Sequence, residues 1–251
     1  MTDALATLGL GKQYGRRLAL ADCTLDIPAG HVTGLVGPNG AGKTTLLSLA
    51  VGLLTPTAGH IEVCGGRPGG GAAQLAKVGF VAQDAPVYAG FTVADHLRFG
   101  ARLNPGWDAS LARDRVDALG LDLRQRAGQL SGGQRAQLAL TLALAKQPEL
   151  LILDEPIAGL DPLARSEFLR SLADYTAARQ ISIVMSSHLV SDLERICDYL
   201  IVLVASRVQV AGPVPELLAS HRLGLEDLVL SYMSRAGQPA RRHQPTSEAQ
   251  P

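Results

Sequence analysis

The residues Gly37-Pro38-Asn39-Gly40-Ala41-Gly42-Lys43-Thr44-Thr45 carry the pattern G-x-x-x-x-G-K-[ST], which is the means to hold a polyphosphate. The glycines let successive backbone N–H groups converge on one concavity, and a helix starting near Lys43 adds its positive end to the same place. Lys43 suits the β- and γ-phosphates as a point charge, and the Thr44 hydroxyl suits Mg2+. A glycine-rich turn before a helix is the plainer alternative. The apolar run Val32-Thr33-Gly34-Leu35-Val36 leading into the loop argues against it, because strand, loop and helix then stand in the order that phosphate binding needs.

Asp154-Glu155 form a second group with chemical potential. They close the continuously apolar run Leu150-Leu151-Ile152-Leu153, the mark of a strand buried on both faces, so paired carboxylates arrive where open α/β sheets bind ligands. Asp154 suits Mg2+ held through water, and Glu155 suits a base that polarises an attacking water. A turn or capping pair before Pro156 would explain one of these acids but not both. Leu130-Ser131-Gly132-Gly133-Gln134 opens the apolar helix Arg135 to Lys146, so a hydroxyl and two glycines mark a further anion site at a helix N-terminus. Four single residues complete the set. Gln83 ends the short strand Val78 to Ala82, His188 ends the strand Ile181 to Met185 after two serines, Tyr14 precedes the phosphate loop, and Asp161 stands before Pro162. Taken alone, each has an ordinary reading: a polar strand end, a structural histidine, a packing tyrosine and a helix cap.

The elements that must hold these groups follow from periodicity. Ala4 to Gly9 and Leu18 to Ile27 read as two strands joined through Lys12 to Arg17, and His60 to Cys64 as a further strand after a turn cluster at Gly52 to Gly59. Gly65 to Gly71 reads as a surface connection. Thr92 to Gly120 turns helical in two segments split by Asn104-Pro105-Gly106-Trp107-Asp108, which suggests a helical subdomain inserted between strands. Leu163 to Ala177 and Leu189 to Ile196 read as helices, Tyr199 to Val204 with Val208 to Val210 as a hairpin, and Pro213 to Leu230 as two short helices. Residues 234–251, rich in Pro, Gln, Arg and Ser without period, are expected to be disordered.

Composition narrows the possible partners. At 251 residues and 47% hydrophobic the chain can bury a large core. Lys+Arg 23 against Asp+Glu 23 leaves no basic footprint for nucleic acid. Cys23, Cys64 and Cys197 lack metal or disulfide spacing and read as small apolar fillers in a reducing compartment. No apolar run reaches about 18 residues, so neither signal peptide nor membrane span is expected.

In their order, Tyr14, the loop Gly37 to Thr45, Gln83, Leu130 to Gln134, Leu150 to Glu155, Asp161 and His188 resemble the ATP-binding-cassette (ABC) ATPases over residues 4–218. The Leu-Ser-Gly-Gly-Gln signature is the most specific part of that resemblance. It implies an α/β fold: a P-loop NTPase core with a mixed central sheet, an N-terminal antiparallel β subdomain and an inserted α-helical signature subdomain. The nucleotide-binding domain would span 1–233, with the helical subdomain at about 91–147. The implied ligands are ATP and Mg2+. Pro38, Asn39, Gly40, Ala41 and Thr45 would join Gly37, Gly42, Lys43 and Thr44 in the phosphate cradle, with Tyr14 stacked on adenine. Gln83 would sense Mg2+ and the attacking water, beside Thr44 and Asp154 at the metal. Glu155 would be the base, and His188 would hold the γ-phosphate. The resemblance also implies a head-to-tail homodimer, in which Ser131, Gly132, Gly133 and Gln134 reach the nucleotide of the second copy and Asp161 links the two sites.

A separate transmembrane permease is implied, holding the chain on the cytoplasmic face of the membrane. Asn104 to Asp108 looks like a segment of ABC-2 type drug and antibiotic exporters, and the chain has no room for the long regulatory domain common in sugar importers. The alternative is a soluble cassette acting on ribosomes, DNA or cluster assembly. Departures from the family pattern are small: Ile157 stands where Thr or Ser is common, and Ala136 and Leu138 replace residues that are often polar or Val.

Overall fold

Nineteen segments build two sheets and a helical lobe in the computed structural model, which describes residues 3–221 and 224–236. Strands β1 (Asp3–Tyr14) and β2 (Arg17–Pro28) form a long hairpin that leads into β3 (Val32–Val36) and helix α1 (Lys43–Ala50). Then come β4 (Ala58–Val63), α2 (Ala72–Lys77) and β5 (Val78–Val81). The helical lobe consists of α3 (Val93–Leu103), α4 (Ala109–Ala118), a 3-10 turn (Ala127–Gln129) and α5 (Gly132–Ala145). The chain returns through β6 (Leu150–Asp154), α6 (Pro162–Ala178), β7 (Ser182–Ser187) and the short α7 (Val190–Leu193). It closes with β8 (Tyr199–Val204), β9 (Arg207–Pro213), α8 (Val214–His221) and α9 (Leu225–Ala236).

The smaller sheet is antiparallel, in the order β2-β1-β4, and the larger has the order β5-β6-β7-β3-β8-β9 with only β9 antiparallel to its neighbour. This is a mixed α/β fold with an antiparallel β subdomain. Period-2 alternation explains why the central strands are apolar throughout. Leu151 and Leu153 of β6 join the core under α5 and α6, whereas Leu150 and Ile152 join the core shared by α1 and the smaller sheet. The helical lobe has a small core of its own, formed by Val93, Val116, Leu121, Ala127, Leu130 and Leu138.

Asp108 connects that lobe to the rest. It caps α4 by accepting from Leu111 N at 2.9 Å, and its other carboxylate oxygen accepts from Gln147 Nε2 at 2.6 Å and faces Arg179 Nη2 at 3.5 Å. The hydrogen bonds from Leu111 N and Ser110 Oγ, and after them the Arg179 guanidinium, hold its carboxyl below the usual aspartate range.

The structure differs from the sequence-based expectation at several edges. The β1–β2 hairpin runs on through Lys12 to Tyr14 and from Arg17, turning only at Gly15-Arg16, where Gly15 takes φ 56°. The break between apolar runs reads as a connection over Lys12 to Arg17, but these residues are the solvated end of a hairpin. Helix α2 was unanticipated, since six residues are too few to show a period. Helix α5 starts at Gly132 rather than Arg135, α7 is four residues long, and α9 continues to Ala236, past the expected start of the tail. The remainder of the expected tail, 237–251, lies outside the described residues. Burial raises the Cys23 thiol and pushes those of Cys64 and Cys197 up to about 11, so all three stay protonated at neutral pH, in keeping with apolar fillers.

Candidate nucleotide site

Strand order gathers the chemical groups. β3 lies beside β7, and β7 beside β6, all parallel and in register, with Val36 opposite Ser187 and Asp154 opposite Ser186. The phosphate loop after β3, the acids ending β6 and His188 after β7 therefore emerge at one edge of the sheet. The loop, Glu155 and His188 meet in a cleft of about 400 Å³ lined by Asn39, Gly40, Gly42, Lys43, Thr44 and Thr45, with Tyr14 and Gln83 around them; Asp154 is not among its lining residues.

The loop is shaped by close backbone approach. A Cβ on Gly37 would lie 2.1 Å from the Leu203 carbonyl oxygen, and one on Gly42 would lie 2.4 Å from that of Ala19. Gly42 also takes φ 110° as the residue before α1, without a side-chain cap, so the first N–H groups of that helix stay available to an anion. Gly42→Ala is accordingly expected to cost about 1–3 kcal/mol of stability. A lower denaturant midpoint at unchanged slope would show it; an unchanged midpoint would show that the loop relaxes freely.

Lys43 is buried, and its Nζ donates to the Gly37 carbonyl at 2.8 Å and pairs with Glu155 Oε1 at 3.2 Å. His188 Nδ1 lies 3.2 Å from Glu155 Oε2. Glu155 thus bridges the lysine of the loop and the histidine of the next strand. A buried ammonium satisfied in this way does not stand uncompensated before an anion arrives. Asp154 is 2% exposed and sits behind Glu155, where its Oδ1 accepts a hydrogen bond from Ser186 Oγ at 2.8 Å. The hydroxyl of Thr44, the amide of Gln83 and the carboxylate of Asp154 are hard oxygen donors of the kind Mg2+ selects, and a cradle without room for a Cβ suits a phosphate chain. ATP and Mg2+ fit these residues.

The signature residues are elsewhere. Ser131 caps α5 in a reciprocal box: its Oγ accepts from Gln134 N at 3.2 Å, and Gln134 Oε1 accepts from Ser131 N at 2.9 Å. Ser131, Gly133, Gln134 and Asp161 line a second cleft of about 210 Å³. Gly132 is exposed and adjoins Leu160. Asp161 Oδ1 accepts from Leu163 N and Ala164 N, both at 3.0 Å, so here it is the cap of α6. Within the first loop the Pro38 carbonyl accepts from Ala41 N; Pro38 is exposed and Ala41 is buried.

Two residues in or behind the first cleft escaped the sequence reading. Arg17 lines it as a second cation, and Ser186 ties the two acids together. The parity of the β1–β2 hairpin would have placed Arg17 opposite Tyr14, with which it pairs. Ser186 carried no signal, because only the strand register shows what it faces.

An apolar cleft of about 490 Å³ lies between the sheet and the helical lobe, lined by Val51, Leu53, Leu75, Pro86, Val87 and Leu142 among others. Leu53 is 67% exposed. Beside it, Tyr88, 61% exposed, packs against Phe91 and Phe99 at centroid distances of 5.2 and 6.0 Å.

Residues 20–158 match the family described as ABC transporter. The chain is 37% identical to the molybdenum import ATP-binding protein ModC of Rhodobacter capsulatus, over 81% of this chain and 58% of that protein. It is 36% identical to the Nod factor export ATP-binding protein I of Rhizobium johnstonii, over 88% of this chain and 72% of that one. The chain thus spans little more than half of the first of these relatives. Among solved structures, an ATP-binding subunit of an ABC transporter superposes with a TM-score of 0.81 at 26% identity, over 91% of this chain and 99% of that one.

Proposed function

The chain belongs to the ABC transporter family, and from that membership we propose that it is the ATP-hydrolysing subunit of a membrane exporter of the ABC-2 type, working with a separate permease. The observation that carries the hydrolytic part is the convergence of Lys43, Glu155 and His188 within hydrogen-bond reach at the end of one sheet edge. Lys43 and the loop N–H groups bind the β- and γ-phosphates, and Tyr14 stacks on the base. Glu155 polarises the attacking water, His188 beside its second oxygen holds the γ-phosphate, and Gln83 in the same cleft senses the metal and the water. Thr44, Gln83 and, through water, Asp154 would hold Mg2+, which would supply neutralisation of charge on the phosphoryl group. Ser131, Gly132, Gly133 and Gln134 complete the site of a second copy, and Asp161 lies between the two. The nucleotide-binding domain is residues 1–233, with about 91–147 as its helical part.

The permease is supported by the apolar cleft and its aromatic margin, a surface that polar solvent does not favour and that a short amphipathic helix would cover. No helix among the described residues is long and apolar enough to cross a membrane; the permease would be what holds the chain on the cytoplasmic face of one. Relatives named for import and for export both match; the resemblance of Asn104 to Asp108 to ABC-2 exporters and the Nod factor export relative favour export. Tyr88→Glu is expected to spare ATP hydrolysis of the isolated chain and to remove recruitment to membranes that contain the permease. Co-expression with the candidate permease, followed by comparison of the membrane-bound fraction, tests this. Equal recovery of mutant and wild type would place the coupling surface elsewhere, and transport assayed in inverted vesicles decides direction.

A further inference from the structure

Ser186 is fully buried on β7, opposite Asp154 in the register of the sheet. Its hydroxyl makes two hydrogen bonds of equal length. It accepts from the backbone N–H of Glu155 at 2.8 Å and donates to Asp154 Oδ1 at 2.8 Å. Since an amide N–H can only donate, the single hydroxyl proton is committed to the aspartate. One rotor on the neighbouring strand therefore touches the backbone of one acid and the side chain of the other. The next serine does not share this task, because Ser187 Oγ closes a local turn with Leu189 N and O, both at 3.0 Å.

The backbone at Glu155 gives this contact its importance. Glu155 has φ 46°, the left-handed region that a residue with a side chain enters only when its surroundings hold it there. The turn is what directs its two carboxylate oxygens to Lys43 and His188 rather than along the strand. By accepting from the Glu155 N–H, Ser186 Oγ holds the amide at the start of that turn, and by donating to Asp154 it holds the carboxylate at its back.

Resting on the assignment of Glu155 as base and Asp154 as metal ligand, we propose that Ser186 is a positioning residue for hydrolysis, orienting both acids through one hydroxyl. Its removal frees the Glu155 turn and lets the Asp154 carboxylate rotate, so the phosphate cradle keeps its nucleotide while water attack and metal binding suffer. A residue that only filled the core would show neither selectivity.

The test compares Ser186→Ala, and Ser186→Cys as a variant of similar volume with a weak donor, against wild type and Glu155→Gln. Expected for Ser186→Ala is a fall in kcat of about 10–100-fold, the usual cost of losing a group that orients a ligand or base. The dissociation constant for ATP should stay within about twofold, half-saturation by Mg2+ should move to higher concentration, and Ser186→Cys should fall between. Thermal unfolding and the stoichiometry of nucleotide binding report the folded fraction. If Ser186→Ala does not fold, Ser186→Cys is judged by the same criteria. Turnover and Mg2+ response within about twofold of wild type in a folded variant would overturn the proposal, as would a loss of kcat that merely tracks the folded fraction. Undiminished hydrolysis by Glu155→Gln would instead overturn the assignment of the base, and this proposal with it.

Discussion

Glu155→Gln is expected to slow steady-state ATP turnover by about 10²–10⁴-fold, the usual worth of a positioned general base, with nucleotide binding nearly intact. The geometry explains the asymmetry. Glu155 adjoins the phosphate loop through Lys43 at 3.2 Å, so removing its charge takes away a competitor for the ammonium that an incoming phosphate needs. The amide of glutamine is close to isosteric, so the turn and the bond from Glu155 N to Ser186 persist. Single-turnover hydrolysis and equilibrium nucleotide titration separate the two effects. Turnover within a few fold of wild type would remove Glu155 from the role of base and leave the Lys43 pair as a structural contact.

The second large effect concerns association. In the Glu155→Gln background, saturating ATP is expected to convert the chain to a dimer, and adding Ser131→Arg to abolish that dimer without weakening nucleotide binding by the monomer. The motive is spatial. Ser131 and Gly133 line a cleft that shares no lining residue with the one holding Lys43, yet Ser131 stands at a helix N-terminus suited to phosphate. One triphosphate and two such sites are reconciled when a second copy supplies the other half. Because Ser131 also caps α5, its replacement costs about 0.5–2 kcal/mol of stability on that account alone. Ser131→Ala, which loses the cap without adding bulk, is the control. Sedimentation velocity that finds only monomer in the ATP-saturated Glu155→Gln protein would count against the arrangement.

The phosphate loop and the Asp154-Glu155 pair were legible in sequence because each is contiguous, and its flanking strand announces itself by unbroken apolarity. Asp161 was legible as a cap from the proline after it, and the structure finds it capping α6. Other parts of the site were not legible. Ser186 acts across a strand pair about 30 residues from its partners, and nothing local distinguishes it from Ser187. Arg17 was hidden inside a charged stretch that looked like a loop, because the hairpin it belongs to is held by pairing rather than by a strong local pattern. The engagement of Gln134 with Ser131 was encoded as S-x-x-Q, a recognisable capping box that the glycines between them obscured.

The position of β3 in the larger sheet has a kinetic side. Its two neighbours are β7 and β8, and Val32 finds its partner Ile183 about 150 residues further along the chain. During synthesis the phosphate loop therefore emerges early but has no sheet to lean on until most of the protein has followed it. The β1–β2 hairpin, closed by neighbouring residues, has no such wait. Nucleotide cannot template the early stages, because the groups that would grip it assemble only when a long loop has closed. In a refolding experiment, protection of amides in β1 and β2 is expected to precede protection in β3, and added ATP should leave the earlier phase unchanged.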